Sequence, residues 1–183
     1  LGLGIIIDGN LYYGKSGFSG ELGHFCMFEN EVLCHCGKKG CLETEASGSA
    51  FHRILMERYR EGSNTILAGK LDSGEEISLG DLLEAVRKED VLCIDILEKM
   101  GVNLGKGIAG LMNIFNPELV ILGGTLSLAG EYISLPIKSA IRKYSLNLVN
   151  QDTEIKISKL GERAGSFGAC LLSRSKLLGM IHY

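Results

Sequence analysis

A chain of 183 residues can bury roughly 70% of its unfolded surface in a core, so its size calls for no disulfide staples. Apolar residues at 45% and charged residues at 22% are globular proportions; the departure is 25 glycines against 2 prolines, a surplus that marks tight turns and close backbone approaches. A net charge of −3, with 19 Lys and Arg scattered rather than striped, argues against a nucleic-acid reader in this chain alone, and no apolar run reaches the roughly 18 residues of a membrane span.

The first residues, Leu1 to Asp8, form a β-branched run followed by Gly9-Asn10 and Leu11-Tyr12-Tyr13, the pattern of a β-hairpin around a tight polar turn. Opening at Leu1 directly in strand-like sequence, with no charged leader or cleavage site, the chain reads as a soluble, cytoplasmic piece of something longer. A glycine-rich stretch from Gly14 to Gly23 and a short apolar strand from His24 to Phe28 lead to Cys34-His35-Cys36-Gly37-Lys38-Lys39-Gly40-Cys41. From Leu42 to about Arg60, Ala46, Ala50, Ile54 and Leu55 mark one face of an amphipathic helix that Gly62 ends. Residues 62–78 are polar and read as a surface excursion before a helix over Asp81–Lys88.

The longest helix follows, with Cys93, Leu97, Met100, Leu104, Ile108, Leu111 and Phe115 stepping by fours and threes. Gly101 and Gly105 lie one turn apart on it, where another helix can approach closely, and Asn116-Pro117 stops it. Glu118 to Gly124 then reads as a buried strand closed by a glycine pair. A helix over Tyr132–Tyr144, a strand over Glu154–Ser158 and a helix over Ala164–Leu178 complete one α/β lobe.

Three groups of residues carry chemistry. Cys26, Cys34, Cys36 and Cys41 fall within sixteen residues beside His24 and His35, and in a cytosolic chain such clustering favours a metal over disulfides. The Cys-x-Cys-x4-Cys loop can offer zinc three thiolates; spacing leaves His24, His35 and Cys26 open as the fourth ligand, with His35 strained by lying between two others. Cys93 and Cys170 sit in apolar helical patterns and read as core. Glu21, His24 and Glu43 flank the loop and can present carboxylates to the hydroxyls of a polar ligand such as a sugar. Finally, Gly2 with Gly4 and Gly123 with Gly124 bare backbone amides that can approach a phosphate, although no Gly-Lys-Ser/Thr follows to make a Walker loop.

Taken in order, Gly-x-Gly-Ile-Ile-Ile-Asp-Gly, Gly-Glu-Leu-Gly-His, Cys-His-Cys-Gly-Lys-Lys-Gly-Cys-Leu-Glu, Phe-Asn-Pro-Glu-Leu-Val-Ile-Leu-Gly-Gly and Ala-Gly-Ser-Phe-Gly-Ala resemble the ROK family of bacterial sugar kinases and sugar-responsive repressors, from Leu1 to about Gly179. The resemblance implies an actin-like ATPase (sugar-kinase) fold with a ribonuclease-H-like sheet, this chain being its C-terminal lobe. It implies zinc on His24, Cys34, Cys36 and Cys41, a sugar on Glu21, His24 and Glu43, and nucleotide motifs at Gly2, Gly4, Gly123 and Gly124. The family's general-base aspartate, its first phosphate motif and its repressors' helix-turn-helix belong to an N-terminal part outside these residues, so no phosphoryl transfer is expected from this chain alone. Residues 142–152 and 173–179 resemble repressors of the xylose or N-acetylglucosamine type. The expected function is therefore the sugar-sensing lobe of a repressor, dimeric and touching DNA through its other domain. The alternatives are the lobe of an ATP-dependent sugar kinase and a zinc-stapled dimerisation module.

Overall fold

The structure, a computed structural model, describes residues 1–179. The opening run forms a short hairpin, β1 (Ile6–Ile7) antiparallel to β2 (Asn10–Leu11). Its turn is Asp8-Gly9, one residue earlier than the sequence suggests, because both hold positive φ (50° and 77°), as a type I′ turn requires.

The single helix expected over 42–60 is two, α1 (Glu43–Ala46) and α2 (Gly48–Arg60). Ser47 breaks it: its backbone is extended, and its Oγ accepts from the Ala50 N–H at 3.1 Å, so it caps α2 instead of prolonging α1. The excursion after α2 contains a further short helix, α3 (Ala68–Ser73), which lacks apolar periodicity and is fastened by polar bonds. Tyr59 Oη donates to Asp72 at 2.8 Å, and Lys70 Nζ donates at 2.7 Å to Asp81, on the first turn of α4 (Leu79–Arg87).

The long helix, α5 (Val91–Phe115), starts at a buried carboxylate. Asp90 accepts from the Cys93 N–H at 2.9 Å, the Ile66 N–H at 2.7 Å and the Thr65 hydroxyl at 2.9 Å. Burial acts to raise the Asp90 pKa, but these donors outweigh it and hold the carboxyl below its ordinary value. Against α5 packs α6 (Glu131–Tyr144), and the expected close approach at Gly101 and Gly105 is where the two meet. A Cβ at Gly105 would stand 2.6 Å from the Ile137 carbonyl oxygen and 2.7 Å from the Ala140 Cβ, and one at Gly101 would stand 2.9 Å from the Pro136 Cβ. That glycine face is therefore filled within the chain and is not available for self-association.

Phe51 and Leu55 of α2, Leu82 and Val86 of α4, Ile96, Leu97, Met100 and Met112 of α5, and Ile137 and Ile141 of α6 form the core. β3 (Leu119–Leu122) pairs in parallel with β4 (Glu154–Ile157), joined through α6 and an unforeseen short helix, α7 (Asn147–Asp152). β3 is not the buried strand expected, since Ile121 is 61% exposed: the helices cover one face of the pair and leave the other open. Nor do the described strands make one ribonuclease-H-like sheet; they form two separate two-stranded sheets. The last helix, α8 (Ala164–Leu177), has no buried residue, so Cys93 is in the core as expected but Cys170 is on the surface. No helix among the described residues is long and apolar enough to cross a membrane.

Candidate functional site

The cysteine loop folds because its two arms pair with each other. Met27 N–H donates to the Gly40 carbonyl at 2.8 Å, Leu42 N–H to the Phe25 carbonyl at 2.9 Å, and Cys34 N–H to the Lys38 carbonyl at 2.8 Å. Glu31 and Lys39 form an ion pair across the arms. Gly40 is where the arms come closest: its φ is +77°, and a Cβ there would lie 2.1 Å from the Phe28 carbonyl oxygen, so a side chain would force the arms apart. A single 3-10 turn, Leu22–His24, delivers the imidazole from the chain before the loop, in place of the strand expected there.

These elements bring His24, Cys34, Cys36 and Cys41 together, with one ligand atom from each and all four atoms within 4.8 Å of one another. Cys36 Sγ lies 3.6 Å from Cys41 Sγ, and Cys34 Sγ lies 3.6 Å from His24 Nδ1. A tetrahedral ion with metal–sulfur and metal–nitrogen bonds of zinc-like length sets its ligands about 3.5–3.8 Å apart. The donor set and its spacing thus fit a metal. Of the open candidates for the fourth position, the structure groups His24 with the three loop cysteines. His35 is exposed outside the cluster, and the Cys26 sulfur lies against the Lys39 carbonyl at 3.4 Å. Burial, chiefly, pushes the Cys41 thiol up to about 12, whereas a backbone hydrogen bond from Lys38 lowers Cys36. A metal binding here would displace the Cys41 proton, since the ligand is the thiolate.

His24 faces two ways. Its Nδ1 is toward the sulfurs, and its Nε2 is 3.7 Å from Glu21 Oε2, on the solvent side. The Glu21 side chain is 57% exposed and stands ready to accept hydrogen bonds, while Glu43 is 21% exposed and takes a bond from the backbone nitrogen of Leu1. Gly23 lies between them in sequence and space, and a Cβ on it would meet Glu43 Oε2 at 2.8 Å. Of the three residues proposed from sequence for sugar hydroxyls, Glu21 and His24 are therefore neighbours, and Glu43 reaches the 3-10 turn that carries His24. Sequence reasoning missed the polar bracing behind them, from Asn30, Glu45 and Arg53, because no motif spacing marks it.

The glycine pairs meet elsewhere. Gly2 and Gly123 line a common cavity of about 150 Å³, roofed by Leu104, Ile108, Leu122 and Ile133 and holding no Lys, Arg or His in its lining. Gly4 flanks the Leu11 side chain, and Gly124 begins a 3-10 turn in which Ser127 Oγ folds back to donate to the Gly124 carbonyl at 2.6 Å.

Comparison with known proteins places this chain in a family. The ROK family profile matches residues 1–176, and the chain belongs to the ROK family. A glucokinase of Halalkalibacterium halodurans is 36% identical over 92% of this chain and 51% of its own length. A xylose repressor of Caldicellulosiruptor bescii is 33% identical over 100% of this chain and 46% of its own. Among solved structures, a ROK glucokinase from Streptomyces griseus in complex with glucose and AMPPNP superposes with a TM-score of 0.82, at 31% identity over 95% of this chain and 57% of that one. A ROK transcriptional regulator homologous to the E. coli MLC protein gives 0.78, at 36% identity over 85% of this chain and 38% of that one. The chain spans about half the length of the curated relatives it matches.

Proposed function

We propose that this chain is the sugar-binding lobe of a sugar-responsive ROK repressor, built around a structural zinc on His24, Cys34, Cys36 and Cys41. One observation carries the reading: the same imidazole turns Nδ1 to the sulfur cluster and Nε2 to the Glu21 carboxylate, 3.7 Å away. Three sulfurs and a nitrogen close a tetrahedral site with no open position, so the ion would staple the loop and leave ligand binding to the side chains around it. Glu21, His24 and Glu43 would hold the hydroxyls of the sugar, carboxylates being strong acceptors for paired hydroxyl donors. Sugar binding would favour one arrangement of the whole protein over another, and so change the DNA affinity of its remaining part. Repressor rather than kinase is read from residues 142–152 and 173–179, and a cytoplasmic dimer goes with that reading, formed through a surface other than the Gly101 and Gly105 face.

Calorimetric titration of the full-length protein with hexoses, pentoses and N-acetyl sugars tests the site. Glu21→Ala is expected to weaken binding about 5- to 150-fold with metal content and fold intact, a cost of roughly 1 to 3 kcal/mol for the hydroxyl left without its acceptor. Equal binding by the variant overturns it.

The second reading, a sugar kinase lobe, is favoured by the glucokinase relative at 36% identity, against 33% for the xylose repressor. In that case Gly2, Gly4, Gly123 and Gly124 would border ATP, whose phosphate charge needs cations from outside the cavity that Gly2 and Gly123 line. Sugar-dependent release of operator DNA supports the first reading; ATP-dependent phosphorylation of the bound sugar supports the second.

A further inference from the structure

Behind the sulfur cluster lies a polar clamp. Arg53, on α2, spreads its guanidinium over two elements. One terminal nitrogen donates to the Thr44 carbonyl at 2.8 Å and to Glu45 Oε1 at 3.2 Å; the other grips both oxygens of Glu57, one turn further along α2, at 2.9 and 2.8 Å. Glu45 Oε1 also accepts from the Asn30 side-chain amide at 2.9 Å, and Asn30 Oδ1 in turn takes the Val32 N–H at 3.3 Å. The Arg53 and Glu45 side chains are only 29% and 19% exposed. Burial raises the Glu45 pKa, against the opposing pull of the Arg53 charge.

The chain positions of these partners matter more than the bonds themselves. Thr44 and Glu45 sit on α1, which begins at Glu43 immediately after Cys41 and Leu42, and the Thr44 hydroxyl donates to the Cys41 carbonyl at 2.8 Å. Asn30 and Val32 lie on the arm that runs into Cys34. One guanidinium thus ties the framework helix α2 to both approaches of the metal loop, and to the turn from which Glu43 projects. A fork of fixed planar geometry suits that task, since a lysine at the same place would be a single mobile point charge. If Arg53 served α2 alone, its Glu57 pair would suffice, an exposed pair of a kind worth little by itself.

We propose that Arg53, acting through Glu45 and Asn30, is a positioning residue for the metal loop and for Glu43: it sets the spacing of Cys34 and Cys41 and the placement of the Glu43 carboxylate without touching metal or sugar. The Glu43 half of this proposal rests on the sugar-site reading above; the metal half does not.

The experiment uses the full chain with zinc and cobalt(II) as metal probes. Zinc affinity is read by chelator competition, the ligand field by the cobalt absorption bands, and sugar affinity by calorimetry on zinc-saturated protein. Groups that orient metal ligands typically govern affinity by about 10- to 100-fold. Arg53→Ala is expected to weaken zinc by that factor and to shift the cobalt bands; Arg53→Lys and Asn30→Ala are expected to reproduce part of the loss; Glu57→Gln is expected to change neither. Zinc affinity and cobalt bands identical to wild type in folded Arg53→Ala overturn the proposal. Should that variant fail to fold, Asn30→Ala and Arg53→Lys decide in its place: wild-type metal binding in both overturns it. If wild type binds no sugar, the sugar-site reading and the Glu43 half fall together, while the zinc result still decides the metal half. If wild type binds sugar and zinc-saturated Arg53→Ala binds it equally well, only the Glu43 half is overturned.

Discussion

The helical body and the cysteine loop are held together by different physics. In the body, α2, α4, α5 and α6 enclose a continuous set of buried apolar side chains, and α5 meets α6 at glycines, so stability comes from area removed from water and from close packing. Apart from buried Leu22, Leu42 and Ala46 at its edge, the loop from His24 to Glu45 has little of this. It relies on backbone bonds between its arms, on Arg53, and on four donors that fit one ion. An apolar core tolerates the loss of one polar partner, whereas a loop of this kind can come apart when its central element is removed. The proposed sugar site would sit on the second kind of structure, beside the exposed Glu21 carboxylate.

The largest expected effect breaks that contrast open. Cys36→Ser, or stripping the metal with a chelator, is expected to cost several kcal/mol of loop stability while the core helices stay folded. Hydrogen exchange that loses protection over residues 24–46 but keeps it over α5 would bear this out. Uniform loss would mean that loop and body are one cooperative unit.

Next in size, Gly105→Leu should destabilise the body by about 1–3 kcal/mol or more through overpacking against the Ile137 carbonyl and Ala140, leaving metal affinity unchanged. Paired chemical denaturation and chelator titrations measure both.

Asp90→Ala removes the cap of α5 and the anchor of Ile66 and Thr65 together, at an expected cost of about 2 kcal/mol. It too should spare the metal loop, and a metal-affinity change would show the two regions to be coupled.

The smallest effect is electrostatic. Lys70 and Ser78 hold the Asp81 carboxyl at about 2, below its ordinary 3.8. Because its folded value is depressed, its contribution is fully present above pH 3.8 and is lost as pH falls through about 2. The difference in melting temperature between wild type and Asp81→Asn should therefore shrink over that window, and salt should shrink it further, the pair being exposed. An unchanged difference from pH 5 to pH 2 would remove the ion pair from the account.

Much of the fold is legible in the sequence. The fours and threes from Cys93 to Phe115 specify one long helix, because a stripe of that period can be buried in no other regular structure. The Cys-x-Cys-x4-Cys loop marks a candidate metal-ligand set by crowding three thiols into eight polar residues, and the structure brings those thiols and His24 within 4.8 Å of one another. What lay beyond reach was of two kinds: local choices between patterns that look alike in sequence, and contacts made by packing. Ser47 reads as an ordinary helical residue until its hydroxyl is seen to cap α2. Cys93 and Cys170 share the same apolar context in sequence, yet one packs inside α5 and the other faces out from α8, because periodicity says that a helix has an apolar face and not what covers it.

The sequence by itself determined the long helices, the family and the kinds of donor available, all of which are encoded locally in spacing and residue chemistry. Spacing left Cys26, His35 and His24 open, the family resemblance pointed to His24, and the tertiary structure groups His24 with the three cysteines; the tertiary structure alone decided that Gly101 and Gly105 are filled by α6 and that Arg53 reaches the turn behind Glu43. Each of these is a distance between different elements, and such distances exist only once packing has set how the elements lie against one another.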